Sequence, residues 1–583
     1  MSKLNVTIDG QSTKVDQGVS ILQAAKQLGI NIPTLCYLDL HHANIKSQAA
    51  SCRICVVEVQ GRKTLVPACA TLVTEGMVIK THTPRVRQAR QTVIELLLSD
   101  HPSNCLNCEK SGQCQLQNLA VQLGIRQSIF NKDHVQSTYP KQQGVAIKRD
   151  MNKCILCRRC EYMCNDVQTV GALSGVNRGF NASVETAFGL PLEDTVCTQC
   201  GQCVAVCPTG ALGEHEHIQE VMCHLENPNK LVIVQTAPAV RVALGEAFGM
   251  EAGTVVTGKM VAALKALGFD YVFDTNFAAD VTIMEESAEL IQRLNSWVIG
   301  EEGGLPILTS CCPAWVNFYE TQFSDLLAYP STVKSPQQIF GTLVKSYFAE
   351  KMNIPKENIC VVSIMPCVAK KYEAERPEFE KDVDFTLSTR ELAALIKQAN
   401  IDFNQLKDMD FDNPLGKATG AAVLFGTTGG VMEAAVRTAY EKITGESLKE
   451  VNFKALRGFE GIRIATVKVG DLDLKVGVVH GLGNARMLME ELREGNPRGL
   501  HAIEVMACPG GCVGGGGQPY HQGQIEILQK RQEALYQEDT NQVLRKSHEN
   551  PQVVELYDTY LGHPMSHKAH ELLHTHYTKK DRV

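Results

Sequence analysis

No stretch of this sequence approaches the roughly 20 consecutive apolar residues that a membrane helix requires, so insertion into a bilayer is not expected. The opening MSKLNVTIDG is neither a basic-then-apolar signal peptide nor a twin-arginine leader, which sets the expectation of a cytoplasmic protein. A basic stripe is also missing. The formal charge is −7, and nothing in its distribution gives an electrostatic reason to expect nucleic acid. No G-x-G-x-x-G follows a predicted strand, so the chain is not expected to bind a nicotinamide or flavin cofactor unaided.

The chain has 583 residues, more than one hydrophobic core supports, and about four units are expected at roughly 150 residues each. Its 44% hydrophobic and 21% charged residues are ordinary for a globular protein. The 22 cysteines are not ordinary, and most stand in tight C-x-x-C-type groups. In a reducing compartment such groups bind metal rather than form disulfides. Structural zinc fills four-ligand sites of similar spacing and is the plain alternative for any isolated pair.

The segment LNVTIDG alternates Leu4, Val6 and Ile8 and ends on Asp9-Gly10, as a strand entering a hairpin does. Residues 19–28 read as a helix. Cys36, Cys52, Cys55 and Cys69 follow in a one-two-one layout related to plant-type ferredoxins without matching their spacing, which points to a [2Fe-2S] site on a small α+β domain. The polar loop 41–51 is longer than the simplest version of such a site and reads as a contact surface.

Residues 84–99 have helical spacing and precede His101, Cys105, Cys108 and Cys114, an H-x3-C-x2-C-x5-C pattern. Taken alone the pattern leaves zinc and an iron-sulfur cluster equally open. Its place between two cluster-type segments favours [4Fe-4S] with His101 as a ligand, and imidazole in place of thiolate raises a cluster's potential. Two repeats come next, Cys154-x2-Cys157-x2-Cys160-x3-Cys164 and Cys197-x2-Cys200-x2-Cys203-x3-Cys207-Pro208. In two-cluster ferredoxins the fourth cysteine of each run serves the other cluster, so the expected sets are Cys154, Cys157, Cys160, Cys207 and Cys197, Cys200, Cys203, Cys164. Asn165 stands where the second run has Pro208.

From about residue 230 the texture changes to alternating strands and helices, as in KLVIVQTAPAVRVALGEAFG and YVFDTNFAADVTIMEE, which predicts an α/β domain. It carries three separated cysteine sites, TSCCPAW at 309–315, MPCVAKK at 365–371 and EVMACPGGCVGGGGQP at 504–519. Glycine at 510, 511 and 514–517 lets backbone approach a bound group closely.

These three segments resemble the signature motifs of the [FeFe]-hydrogenases, and the resemblance extends over nearly the whole chain, because larger members carry the same N-terminal cluster domains in this order. It implies an H-cluster, a [4Fe-4S] cubane bridged to a diiron unit with CO, cyanide and an azadithiolate. Cys312, Cys367, Cys508 and Cys512 would hold the cubane, with Cys512 as the bridge. Lys370 and, with less support, Gln337 would donate to cyanide, and Met506 would pack by the bridging carbonyl. Pro238 and Ala239 align with a loop that contacts the diiron unit; some members have serine where Ala239 stands. By the same resemblance Cys311 takes protons from the bridgehead amine and Glu286, Ser331 and Glu289 relay them, with Arg293 one turn beyond. On spacing alone the two glutamates, at i and i+3, read as a solvated helix face.

Cys223 and Cys360 have no partner group and read as ordinary thiols. The tail, 543–577, holds six histidines, among them His567, His570 and His574, expected to be exposed; it resembles the small-subunit segment that some exported relatives carry as a separate chain. The expected units are 1–82, a β-grasp ferredoxin-like [2Fe-2S] domain; 83–139, the segment with one histidine and three cysteines; 140–222, a two-cluster ferredoxin domain; 223–525, the catalytic α/β domain; and 526–583, a helical tail.

The implied activity is reversible reduction of protons to H2. One [2Fe-2S] cluster, three accessory [4Fe-4S] clusters and the H-cluster would be required, using 19 cysteines and His101. The electron partner expected from the N-terminal module is a flavin- and iron-sulfur-containing, NAD(P)-linked set of subunits of the electron-bifurcating kind, or ferredoxin. A non-catalytic electron-transfer or cluster-carrier subunit is the alternative, and a sensory hydrogenase a third. A mere carrier has no use for Cys311, Lys370, Met506 and two relay glutamates. A sensor would alter the relay cysteine and add a signalling domain.

Overall fold

A computed structural model of the protein describes residues 3–38, 50–102, 104–126, 129–130, 141–300 and 304–582. Residues 41–49 of the expected contact loop lie outside them.

The alternation at the N-terminus forms the hairpin Lys3–Ile8 and Gln11–Asp16, paired from Lys3↔Asp16 to Ile8↔Gln11. Its two-residue turn is Asp9-Gly10, both with positive φ, as the twist of a tight hairpin demands. Met77–Lys80 joins the first strand in parallel, Val56–Val59 and Val66–Pro67 complete five strands, and the helix Ile21–Gln27, started by a Ser20 capping box, covers them. Val6, Ile8, Val15, Ile21 and Ala24 share the core this creates. The helix Pro84–Ser99 follows, with Pro84 in its first turn and Thr83 as its cap.

The two cysteine runs are framed by the antiparallel strands Gln142–Gln143, Ile147–Arg149 and Leu212–Glu214. Their repetition is visible in the backbone. Leu156 and Arg158 flank Cys157, Gln199 and Gly201 flank Cys200, and all four have positive φ. In each loop the same amide, Leu156 or Gln199, donates to the first thiol of its run at 3.4 Å.

The remaining chain builds two four-stranded sheets. The first runs Tyr271–Asp274, Leu231–Thr236, Ile359–Met365, Phe385–Ser388, all parallel. The second runs Ile307–Leu308, Ala502–Met506, Leu472–His480, Ile462–Val469, with only the last antiparallel. Their central strands are buried on both faces, which is why they read as continuous apolar runs. The long helix Thr275–Val298 packs against the helices Pro336–Leu343 and Gly430–Thr444, and nearly every residue of its first four turns is buried. The segment after Leu231–Thr236 departs from the strand-helix expectation: it turns, and only Leu244–Phe248 is helical, as a 3-10 piece. Pro238 lacks the amide that would extend the strand ladder, so the chain leaves the sheet there.

The tail helices, Ile525–Asn541, Pro551–Leu556 and His567–Leu573, are part of this body. Buried Arg531 holds Glu246 with two bonds of 2.7 Å and donates to the Val513 carbonyl at 2.8 Å, and Arg437 grips Asp539 with two bonds of 2.9 Å.

One apolar cluster runs from the ferredoxin-like part (Ile147, Val204, Leu212) into the catalytic part (Trp315, Phe318, Val368). The seam closes where glycines meet. A Cβ on Gly516 would lie 2.8 Å from the Cys200 carbonyl oxygen and 2.8 Å from Gly201 backbone carbon. Gln202 Nε2 and Asn317 Nδ2 bridge the same seam to the Gly514 and Cys197 carbonyls, at 2.9 and 3.1 Å. Gly516→Ala should therefore lower unfolding stability by about 1–3 kcal/mol through overpacking against rigid backbone; an anaerobic melting temperature equal to the parent's would contradict the tight seam.

Candidate active site

Four strands of the two sheets deliver the candidate residues from their carboxyl ends, the place where open α/β sheets hold ligands. Leu231–Thr236 leads to Pro238 and Ala239, Ile307–Leu308 to Cys311 and Cys312, Ile359–Met365 to Cys367, and Ala502–Met506 to Cys508 and Cys512. Cys312 caps the helix Pro313–Gln322, whose Ala314 and Trp315 amides point at its sulfur, and the Ala507 amide approaches it at 3.5 Å. Burial raises all four thiols; neighbouring thiols raise three of them further, Cys312 and Cys512 acting on Cys367, Cys367 and Cys312 on Cys508, and Cys312 on Cys512, while backbone amides and Lys370 moderate Cys312. Cys512 is pushed up to about 12. Four thiols gathered so closely in a low-dielectric site favour a cation that deprotonates them, so the donor set fits an iron-sulfur group.

The surroundings fit a carbonyl- and cyanide-bearing group as well. Cys311 and Cys512 pack against the apolar side chains of Ala279, Ile283, Ala421, Ala422, Phe425 and Met506. Gly511, at φ +89°, allows the chain to pass where a Cβ would strike the Met506 sulfur at 2.9 Å and the Thr428 amide at 2.7 Å. Ala239 is fully buried, and its carbonyl accepts from Gln518 Nε2 at 2.8 Å.

Lys370 projects from the helix Ala369–Ala374, and its ammonium donates to Glu373 Oε2 (2.8 Å), Ser335 Oγ (2.8 Å) and the Cys311 carbonyl (3.1 Å). Burial works against this charge, but Glu373 prevails and the amine is raised above its ordinary value. All three donors are taken, so contact with a cyanide means exchanging one of them. Gln337 points its amide nitrogen at Glu373 (3.0 Å) and the Lys370 carbonyl (3.1 Å), leaving its oxygen without a partner among the described residues. In this orientation its free atom is an acceptor.

Glu286, Glu289 and Arg293 share one face of the long helix. Contrary to the solvated-face reading, Glu286 and Glu289 are each only 5% exposed, because the Ser310 and Ser331 segments cover that face. Ser331 Oγ donates to Glu289 Oε2 at 2.7 Å, and Arg293 reaches Glu289 Oε1 at 2.6 Å while also donating to the Gly304, Tyr329 and Pro330 carbonyls. Burial lifts the Cys311 thiol well above its ordinary value, and Glu286 is the charge that raises it most. Burial, then Glu289 and Glu504, push Glu286 up to about 8, and its Oε1 has no hydrogen-bond partner among the described residues.

The other cysteines assemble as four further groups. Cys36 contacts Cys52 and Cys69, and Cys55 lies 3.3 Å from Cys69. Cys105 sits in a 3-10 turn and Cys114 caps the helix Gln115–Gln122, with Cys108 between; His101 is half-buried just upstream. Cys154, Cys157, Cys160 and Cys207 line one enclosed cavity. Cys164 acts on Cys197 and Cys203, the crossed arrangement that the two runs require. Cys223 is exposed, whereas Cys360 lies buried in the strand Ile359–Met365, where burial lifts its thiol to about 12.

The tail histidines correct one expectation. His574 is 6% exposed, bonded to Thr332 Oγ1 (2.8 Å) and Glu285 Oε2 (3.1 Å), because the tail folds back across residues 331–333; half-buried His548 pairs with Glu441 at 2.9 Å. His563, His567, His570 and His576 are exposed. Three residues around the site went unremarked in the sequence. Glu373 orients both Lys370 and Gln337 and stands at i+3 from Lys370, a legible signal. Tyr577, whose hydroxyl donates to the Ser331 carbonyl at 3.1 Å, left none. Glu504, in the strand Ala502–Met506, is buried and pushed up to about 7, and it accepts from the Gly429 and Met432 amides at the start of a helix.

Because the folded value of Glu286 lies above the ordinary 4.5, the folded state holds an extra proton between about 4.5 and 8, and stability falls as pH rises through that window. Glu286→Gln removes the titration while keeping the shape. Its melting temperature relative to the parent should climb between about pH 5 and pH 9; parallel curves would count against a buried neutral acid.

Comparison with known proteins matches residues 230–516 to the iron-only hydrogenase large subunit, C-terminal domain, and 525–580 to the iron hydrogenase small subunit. Residues 1–84 match a 2Fe-2S iron-sulfur cluster binding domain, 90–128 the NADH-ubiquinone oxidoreductase-G iron-sulfur binding region, and 144–213 the ferredoxin-like domain of NADH-quinone oxidoreductase subunit 3. The chain is 60% identical to the NADP-reducing hydrogenase subunit HndD of Solidesulfovibrio fructosivorans, covering 100% of both chains, and 39% identical to iron hydrogenase 1 of Clostridium pasteurianum, over 98% of this chain and 100% of that one. Among solved structures, a variant of [FeFe]-hydrogenase HydA1 from Chlamydomonas reinhardtii superposes with a TM-score of 0.57 at 42% identity, covering 63% of this chain and 100% of the other. Iron-sulfur domains of ferredoxin type thus precede a mixed α/β hydrogenase domain, and the chain belongs to the [FeFe]-hydrogenase family, as an iron-sulfur oxidoreductase that acts on hydrogen.

Proposed function

We propose that the chain catalyses the reversible reduction of protons to H2 at an H-cluster held by Cys312, Cys367, Cys508 and Cys512, with Cys512 shared between its two parts. The observation that carries this reading is the meeting, at the carboxyl ends of two sheets, of four thiols, Cys367 and Cys508 buried and Cys312 and Cys512 half-buried, with a separate line of titratable groups leading outward. When bound, the diiron unit supplies the iron site at which two protons and two electrons combine.

The protein's own groups do the rest. The alanine-rich bed with Phe425 and Met506 is apolar where it covers the site, so proton transfer is assigned to the titratable side chains beside it. Glu289, anchored by Arg293, passes a proton by way of the Ser331 hydroxyl toward Glu286, and the Glu286 carboxyl exchanges it with the Cys311 thiol. An acid lifted to about 8 is protonated near neutrality yet able to release, as a relay requires. Lys370, fixed by Glu373, would anchor a cyanide; Pro238, Ala239 and Met506 shape the rest of the pocket, and Gln337 steadies Lys370 through Glu373 and the Lys370 carbonyl.

We assign one [2Fe-2S] cluster to Cys36, Cys52, Cys55 and Cys69, and [4Fe-4S] clusters to His101 with Cys105, Cys108 and Cys114; to Cys154, Cys157, Cys160 and Cys207; and to Cys164, Cys197, Cys200 and Cys203. The unit boundaries are placed after residues 82, 139, 222 and 525, with a β-grasp sheet in the first. The name of the HndD relative and the two NADH-dehydrogenase-type regions support NAD(P)-linked partner subunits that carry flavin and iron-sulfur groups, with ferredoxin as a second electron partner. No helix among the described residues is long and apolar enough to cross a membrane, which is compatible with the cytoplasmic location proposed.

Anaerobic expression with the dedicated maturation proteins should give sharp cyanide and carbonyl infrared bands and H2 evolution from reduced viologen. Cys311→Ala should keep those bands while losing at least about 10²-fold in rate, the usual range for removal of a positioned proton carrier. A preparation with full cubane iron and no such bands would instead support an electron carrier.

A further inference from the structure

Where the Cys105-to-Cys114 loop meets the turn after Cys207 lies a buried cation without an acceptor. Lys110 is 5% exposed, and its ammonium stands 2.9 Å from the centroid of the Tyr520 ring. Its nitrogen is shielded from solvent and has no hydrogen-bond partner among the described residues. Other cations buried as deeply hold at least one acceptor: Lys371 holds Glu391 and the Thr386 carbonyl, Arg241 holds Asp274, and Arg437 and Arg531 hold carboxylates with paired bonds. An ammonium held only by an aromatic face is costly to keep charged in such surroundings, so its protonated form calls for an anionic acceptor beyond the polypeptide.

Burial lowers this amine to about 7; against that, Cys207 acts most strongly to hold its proton, Glu214 and Cys114 act in the same sense, and Arg390 opposes them. The loops that carry Cys114 and Cys207 interlock. The Gln115 amide donates to the Pro208 carbonyl at 2.9 Å, and a Cβ on Gly210 would lie 2.7 Å from Cys108 Sγ and 3.5 Å from the Lys110 Cβ. Tyr520 closes the far side, its ring also covered by Arg390, which is fastened to Glu214 and to the Gly516 and Gln518 carbonyls. The ammonium thus lies in the junction that also brings together Cys108, Cys114 and Cys207, where it can donate toward the groups they would bind.

We infer that Lys110 is a positioning residue for electron relay, its ammonium shared between the cluster held by His101, Cys105, Cys108 and Cys114 and the one held by Cys154, Cys157, Cys160 and Cys207. This rests on the ligand sets proposed above. A cation, or a donated hydrogen bond, stabilises the more negative reduced form of an iron-sulfur group and raises its potential. Placed between two such groups, it also reduces the mutual repulsion of their added electrons. Loading either site adds anionic charge beside the amine and so favours its protonated form.

The test is an EPR-monitored redox titration of the full, cluster-loaded chain and of its Lys110→Met and Lys110→Arg variants, with iron content measured on each. Lys110→Met should shift the midpoints of both [4Fe-4S] signals to more negative potential with iron content unchanged, and Lys110→Arg should restore them in large part. Parental midpoints in a fully loaded Lys110→Met protein overturn the proposal. Loss of iron in both variants also overturns it, by making Lys110 a packing residue. Too few [4Fe-4S] signals in the parent chain would instead reject the ligand sets, a failure distinguishable from that of Lys110.

Discussion

Four thiols that burial keeps protonated, and that repel one another once ionised, are the constraint around which the catalytic half is built. Neither tendency is relieved by neighbouring cations alone. Lys370 is the ammonium acting on Cys312, Cys367 and Cys512, and it is already committed to Glu373. What the fold offers is geometry: strand ends from two sheets, amides at a helix start, and glycine where side chains would collide. Each is a feature of backbone rather than of charge, so the site keeps its shape without depending on the state of any one side chain. The same economy appears at the seam, where glycine meets glycine and the accessory part shares an apolar core with the catalytic part.

The ring of ion pairs around the site has a different task. Lys370 with Glu373, Arg531 with Glu246 and Arg437 with Asp539 are buried pairs, weak as sources of stability but costly to break. The last two tie the tail to the loop that bears Cys512 and to the helix Gly430–Thr444. The tail thereby acts as a wall of the site: Leu535 packs where Gly426 leaves room, beside Ala239.

Local ligand spacing made the accessory groups legible from the sequence. A C-x2-C-x2-C-x3-C run must place its sulfurs close together whatever surrounds it, and the hairpin at Asp9-Gly10 announced itself through residue type in the same way. Cys312, Cys367, Cys508 and Cys512 offered no such signal, since about 200 residues separate the first from the last and only the fold unites them; there the resemblance to a family was needed. Glu286 and Glu289 were legible only as a helix face, because what buries them comes from residues 309–310 and 331–332. His574 was misread for a related reason, its partners Thr332 and Glu285 being more than 240 residues away. The turn at 237–243 shows that apolar content alone does not distinguish a strand or helix from a buried loop.

The crossed runs and the scattered thiols also differ in when they become complete during synthesis. Every accessory ligand has emerged once Cys207 is made, whereas Cys512 lies 305 residues later and the tail that walls the site later still. At ~5–20 residues per second that interval is on the order of 15–60 s. The nascent chain thus presents its ferredoxin-type modules while the catalytic half is still missing a strand, two cysteines and its last wall. The wiring precedes the device it serves, and the pocket that holds the device is the last to acquire a boundary.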